Sequence, residues 1–479
     1  MGQTERNQAA VKPTTGVGVP RVMLAAPASG SGKTVITCGL LRALQKRGVE
    51  CVSFKCGPDY IDPLFHQAVL GIAGCNLDSF FLAEKELRDL FTEKTTQAQF
   101  AVIEGVMGYY DGVGGTSTWA SSYEIAKITE TPVILIVDGK KSSLSIAALI
   151  QGFKQFREDS RICGVILNRT TPVMAERLRP YLEAQGVTLL GAVPDCAEAR
   201  LESRHLGLTL PDSRTGFGEQ LERLAEKLET CLDIRQIITI AGGTAVKPLP
   251  AIDQIAERKT ITRSKPKEIR RIGIARDEAF CFYYQENLDF LTQEGYQLVP
   301  FSPLHDRELP DGLTALLLGG GYPELYAGQL AENEEMLKGI RRAAAAGVRI
   351  LAECGGFLYL HQTLEDDQGQ EWPLAGVIPA KGFRTDRLSR FGYIQLETET
   401  AGNSMQRQPE YIRGHEFHYW DSTAPGTDML ARKPASERIW ACMYRTERML
   451  AGFPHLYYRS APDVIRHFLN QGGEGSCCN

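Results

Sequence analysis

The chain contains no apolar run that approaches the roughly 18 residues needed to span a bilayer, so no membrane partner is expected. Charge of one sign is also missing. With 53 Lys and Arg against 58 Asp and Glu, the net charge is −5, which argues against a nucleic acid as partner. No secretory signal precedes the 12 cysteines, and they do not fall into a disulfide framework, so a reducing, cytoplasmic setting is expected. No internal repeat of fixed period is evident. The polar stretch before about Val17 and the tail from Gly472 to Asn479 read as frayed ends; Cys477 and Cys478 in that tail are too close in sequence to chelate one ion well.

What remains is a globular composition, 43% hydrophobic and 23% charged, in 479 residues, which is too long for one ordinary core. Its organising stretch runs from Val22 to Thr34. A short apolar strand ends near Ala26 and gives way to a loop that closes on Gly30-Ser31-Gly32-Lys33-Thr34, and a helix follows with Ile36, Leu40, Leu41 and Leu44 on one face. Such a loop turns backbone N–H groups and a helix N-terminus toward a phosphate. Lys33 can reach the outer phosphates of ATP, and the Thr34 hydroxyl can hold Mg²⁺. The strict loop pattern would place Gly at position 27, where this chain has Pro27.

Apolar runs alternate with helical stretches from Val22 to Val193, at 51–54, 100–103, 132–137, 164–167 and 189–193. The expected fold is α/β, a doubly wound parallel sheet with ligands at the carboxyl ends of its strands. A second alternation at 272–275, 297–300, 315–318 and 348–352 predicts a second α/β domain. The expected division is a domain at 17–235, a Pro- and Gly-containing linker at 236–268 with a basic run from Arg258 to Arg271, and a domain at 269–465.

Acidic residues stand where these strands end. Asp59 and Asp62, in Lys55-Cys56-Gly57-Pro58-Asp59-Tyr60-Ile61-Asp62, are candidate metal or substrate contacts. Glu104, at the next strand end, is placed to complete a Mg²⁺ shell begun by Thr34. Asn168, after a later strand, either reads an adenine edge or is a turn residue. In the second half, Cys354 lies between Glu353 and Gly355-Gly356 at a strand end, an elbow that exposes a nucleophile and is expected to lower its thiol pKa. Backbone N–H groups at Gly320, Gly321 and Gly355 can form an oxyanion hole. The base is expected in the 413–419 segment, with His415 and His418, or in the 452–457 segment, with His455.

These motifs, together with Ser203-Arg204-His205-Leu206-Gly207-Leu208 and Arg413-Gly414-His415-Glu416-Phe417-His418-Tyr419, resemble those of the cobyrinate a,c-diamide synthase family, glutamine-dependent amidotransferases that act on corrin side chains. The likeness runs from about Arg21 to about Pro462. It implies a dethiobiotin-synthetase-like P-loop domain followed by a class I glutamine amidotransferase domain of flavodoxin-like type. It further implies His455 as the partner of Cys354. Asp59, Tyr60, Asp62 and Asp111 would lie by the carboxylate being activated, with Thr34, Glu104 and Asp59 as metal contacts. Cobyrinate, glutamine and ATP are the implied partners, Mg²⁺ the implied cofactor, and a homodimer is left open. Nickel sirohydrochlorin is the alternative ring, and a P-loop switch fused to a non-catalytic glutaminase-like module is an alternative of another class. Two departures stand out. Related glutaminases read His-x-Glu where this chain reads His455-Leu456-Tyr457, which leaves a Cys-His pair with no third member or with a distant acid. Trp420 stands where relatives often have a small residue, to reshape the ring pocket or to pack.

Overall fold

The computed structural model describes residues 18–195, 217–243, 270–388, 390–398 and 410–470. The Ser203–Leu208 motif, positions 244–268 of the expected linker, most of its basic run and both chain ends lie outside them. The chain divides into two compact units, Met1–Thr262 and Arg263–Asn479.

In the first unit seven strands form one parallel sheet: β1 Arg21–Ala25, β2 Cys51–Cys56, β3 Gly74–Leu77, β4 Phe100–Glu104, β5 Val133–Asp138, β6 Ile162–Asn168 and β7 Thr188–Val193. Their order is β3-β2-β4-β1-β5-β6-β7. Residues such as Val22, Leu24, Val102, Ile134 and Ile166 are buried, as both-face coverage of a parallel sheet requires. Since β1 lies between β4 and β5, the loop after β1 and the acid ending β4 meet at the centre of the sheet. Helix α1, Lys33–Lys46, follows that loop and buries Ile36, Leu40, Leu41 and Leu44 as its spacing predicts. Strand β3 was not among the expected strands. It is four residues long, Gly-Cys-Asn-Leu, with no β-branched residue to mark it. The helix Ile234–Gly243 continues into the stretch expected as linker.

In the second unit, β8 Arg270–Ala275, β10 Tyr296–Phe301, β11 Leu313–Leu318 and β13 Arg349–Glu353 run parallel in the order β10-β8-β11-β13, and strand Met449–Gly452 extends that sheet beside β13. Strand β9, Phe280–Phe282, pairs with the two-residue β12, Gly320–Gly321. The sequence reading gave no strands between 361 and 456, yet that region holds two further sheets of mostly antiparallel strands, including the long pair Arg390–Thr398 and Glu410–His418. Polar and aromatic residues interrupt those strands, which hides a continuous apolar run.

Candidate active site

The loop after β1 is braced from inside the first unit. Gly32 has φ of 93°, a left-handed conformation in which Gly is the default residue, and a Cβ there would lie 2.2 Å from Asn168 Nδ2. Asn168 donates Nδ2–H to the Ser31 carbonyl at 2.9 Å, and its Oδ1 accepts the Arg169 N–H. Its amide therefore braces the loop. Ser31 Oγ donates to the Ala28 carbonyl at 2.9 Å, and Gly30 is also left-handed. Helix α1 has no side-chain cap, which leaves its N-terminus to a ligand. Lys33 donates to the Met107 carbonyl at 2.6 Å and to that of Ala28 at 3.3 Å. Burial and the neighbouring Lys55 lower its pKa to about 8, against the pull of Glu104, Asp111 and Asp62.

Thr34 Oγ1 donates to Glu104 Oε1 at 2.6 Å and is 3.5 Å from Asp62 Oδ2. The centre of this acid cluster is Lys55, to which the sequence reading gave no role. Its buried ammonium donates to Glu104 Oε1 at 2.7 Å and to Asp62 Oδ2, and lies 3.8 Å from Asp59. Burial drives the Glu104 carboxyl up to about 7, with Asp62 adding to the shift and Lys55 and Thr34 opposing it. Burial also acts to raise Asp62, but the hydrogen-bonded Lys55 overcomes it and holds Asp62 low. Asp59 Oδ1 accepts the Ile61 N–H at 2.9 Å and that of Asp62 at 3.3 Å, capping the helix Ile61–Leu70, α2. Tyr60 directly precedes that helix, partly buried. Asp111 is exposed and caps its own turn, accepting the Gly108 N–H at 2.9 Å.

In the second unit Cys354 joins β13 to the short helix Gly355–Tyr359 with φ of 49° and ψ of −105°, the strained elbow expected from its neighbours. The expected lowering of its thiol pKa is not what the structure gives. Cys354 is 8% exposed, and burial, with Glu324 and Glu416 adding, pushes the thiol well up, against a hydrogen bond from Gly355 N–H. Desolvation outweighs the helix terminus here. The three glycines come together around this bend. A Cβ on Gly355 would be 3.1 Å from Gly321 N, and one on Gly320 would be 2.2 Å from His455 Cε1.

Three histidines were candidates for the base. His418 stacks on Phe453 with ring centroids 4.0 Å apart, and its Nδ1 lies 2.5 Å from the Trp420 carbonyl. His415 pairs in register with His455, between strand Glu410–His418 and strand His455–Leu456, and touches Phe391 and Tyr393. His455 is the one against Gly320, and burial lowers its pKa to about 3. Its Nδ1 is 3.8 Å from Glu353 Oε2, an acid distant from it in sequence. Trp420 packs: its indole N–H donates to the Glu365 carbonyl at 2.7 Å and its ring lies beneath Arg384.

Comparison with known proteins bears on both units. Residues 22–208 match the CobQ/CobB/MinD/ParA nucleotide binding domain, and residues 271–461 match the CobB/CobQ-like glutamine amidotransferase domain. A cobyrinate a,c-diamide synthase of Salmonella typhimurium is 41% identical over 93% of this chain and 97% of its own length. Proteins of the same name from Caldanaerobacter subterraneus and Thermoplasma volcanium are each 36% identical, over 94% and 95% of this chain and 97% of their own lengths. A nucleotide-binding unit, a glutamine amidotransferase unit and likeness along almost the whole length of these relatives lead to one conclusion: the chain belongs to the cobyrinate a,c-diamide synthase family.

Proposed function

We propose that this chain amidates the a and c acetate carboxylates of cobyrinate, using ATP and glutamine, as a step in cobalamin biosynthesis. The observation that carries the reading is the near full-length likeness to cobyrinate a,c-diamide synthases, which spans the Lys33 loop and the Cys354 elbow alike.

At the glutaminase centre the Cys354 sulfur attacks the side-chain amide carbon of glutamine. His455 takes the thiol proton and returns it to the departing nitrogen, so that ammonia leaves and a γ-glutamyl thioester remains. Water, deprotonated by His455, then releases glutamate and restores the thiol. Gly320, Gly321 and Gly355 are proposed to shelter the oxyanion, and the close approach of Gly355 to Gly321 supports that grouping.

At the phosphate loop a substrate carboxylate takes the γ-phosphoryl group of ATP, ADP leaves, and ammonia displaces phosphate from the acyl phosphate. Lys33 is proposed to neutralise charge on the phosphoryl oxygens, which requires its ammonium to leave the Met107 carbonyl. Asp59, Tyr60, Asp62 and Asp111 are proposed to face the carboxylate being activated. The donor set suits Mg²⁺: Thr34 Oγ1 and Glu104 are hard oxygen ligands, and Glu104 Oε2 is buried without a hydrogen-bond partner among the described residues. When bound, Mg²⁺ would supply charge neutralisation at the phosphates.

Mass spectrometry after incubation with ATP, Mg²⁺ and glutamine tests the assignment. Cobyrinate should gain two amides; amidation of nickel sirohydrochlorin with none of cobyrinate would overturn it.

A further inference from the structure

We infer that Glu353 is the positioning residue of the glutaminase centre, a carboxylate that holds His455 at Nδ1 from the position directly before the nucleophile. The inference rests on the reading of Cys354 and His455 as nucleophile and base.

Strand pairing brings the two side chains together. Glu353 ends β13, which runs parallel to strand Met449–Gly452 with Glu353 opposite Gly452. Three residues beyond Gly452 the chain reaches His455, and Glu353 Oε2 stands 3.8 Å from His455 Nδ1. Among the described residues, His455 is the only ion-pair partner of Glu353 within 4.0 Å. The imidazole is confined on another side by Gly320, where any Cβ would collide with Cε1.

The carboxylate is itself fixed. Oε1 accepts the Tyr458 hydroxyl at 3.1 Å, and the nearby Leu456 N–H favours the charged form of the group. Asn287 pins that segment, donating Nδ2–H to the Leu456 carbonyl at 2.7 Å and accepting the Tyr458 N–H at 2.8 Å. Glu353 and His455 are both almost fully buried, at 4% and 2% exposure, so water cannot take over either role.

The chemical consequence follows from the two ring nitrogens. An imidazole whose Nδ1–H faces a carboxylate presents Nε2 as the acceptor for the thiol proton. Burial pushes the Glu353 carboxyl up to about 8, and the imidazolium that forms when the proton arrives is the charge that favours its ionised form, which gives the buried pair its negative member. A separation of 3.8 Å is longer than a hydrogen bond; contacts of this kind tighten when substrate is bound. The rival role for Glu353 is structural, an anchor for Tyr458.

Four enzymes separate these roles: wild type, Glu353→Gln, Glu353→Asp and Tyr458→Phe, each assayed for glutamine hydrolysis and for amidation driven by ammonium chloride. Glu353→Gln should lose at least tenfold in kcat for glutamine with KM within about threefold, while the ammonium-driven rate stays. Tyr458→Phe, which removes only the hydroxyl at Oε1, should keep most of the glutamine kcat. Glu353→Asp keeps the charge one methylene short and should fall between wild type and Glu353→Gln; if Glu353→Gln does not fold, a wild-type kcat in Glu353→Asp overturns the role. The role is also overturned if folded Glu353→Gln hydrolyses glutamine within about twofold of wild type, or if Tyr458→Phe reproduces its loss. Failure of wild type itself to hydrolyse glutamine would instead sink the underlying reading of Cys354 and His455.

Discussion

Thr34 Oγ1 and Glu104 Oε1, 70 positions apart in sequence, are 2.6 Å apart in the folded chain, joined across adjacent strands β1 and β4. A hydroxyl at a phosphate loop bonded to a strand-end carboxylate is a pair of oxygens that one hard cation can share. Glu104→Gln keeps the shape and removes the charge. Titration of the amidation rate against Mg²⁺ should show a higher requirement or no turnover, and an unchanged curve would leave Glu104 a structural role only.

Lys33 donates to two backbone carbonyls, and in the proposed reaction its ammonium moves to the phosphates. Burial lowers its pKa to about 8, so its charged form is held at a desolvation cost. Lys33→Ala should therefore abolish ATP-dependent product while the variant still melts cooperatively. Retained amidation at saturating ATP would contradict the assignment.

Gly320 leaves no room for a methyl group beside the His455 ring. A Cβ would lie 2.2 Å from His455 Cε1 and 3.2 Å from both ring nitrogens. Gly320→Ala should displace the imidazole, reducing glutamine hydrolysis at least tenfold and costing about 1–3 kcal/mol of stability by overpacking. Ammonium-driven amidation should persist. Wild-type glutamine kcat in this variant would show that His455 is not the base.

His361 gives a pH test independent of catalysis. Its ring is buried between the Phe357 carbonyl, 2.9 Å from Nδ1, and Ser422 Oγ, 2.6 Å from Nε2. Burial lowers its pKa to about 4, although the Phe357 carbonyl opposes the shift. The unfolded value is near 6.5, so between pH 6.5 and 4 the unfolded chain takes up a proton that the folded chain refuses. Stability present above 6.5 is lost as pH falls through this window, by up to about 3 kcal/mol. The stability gap between wild type and His361→Gln, measured by denaturant at pH 7.5 and pH 5, should narrow at the lower pH. A constant gap would show that His361 does not titrate in this way.

The parallel sheets were legible because strands covered on both faces are written as unbroken apolar runs, such as 132–137 and 315–318. The loop before Lys33 and the bend at Cys354 were legible because glycines cluster where those strands end. Besides the mostly antiparallel strands between 361 and 456, three features were hidden. Strand β3 is too short and too plain in composition to announce itself. Lys55 reads as strand interior, and only the return of Asp62 and Glu104 to the same point reveals a buried ammonium among acids. Glu353 was hidden by where one looks for an acid beside His455: the second position after the histidine holds Tyr457, whereas the pairing of β13 with strand Met449–Gly452 brings Glu353 to 3.8 Å from the ring.

The central claim is that two chemical centres divide the work, with ammonia made at Cys354 and used at the Lys33 loop. The most direct measurement compares wild type and Cys354→Ala for amidation of cobyrinate, with glutamine and with ammonium chloride at about pH 8 to 9, where more of the ammonium is present as reactive NH₃. The variant should lose the glutamine-driven rate and keep the ammonium-driven one. Loss of both in a folded Cys354→Ala would contradict the division.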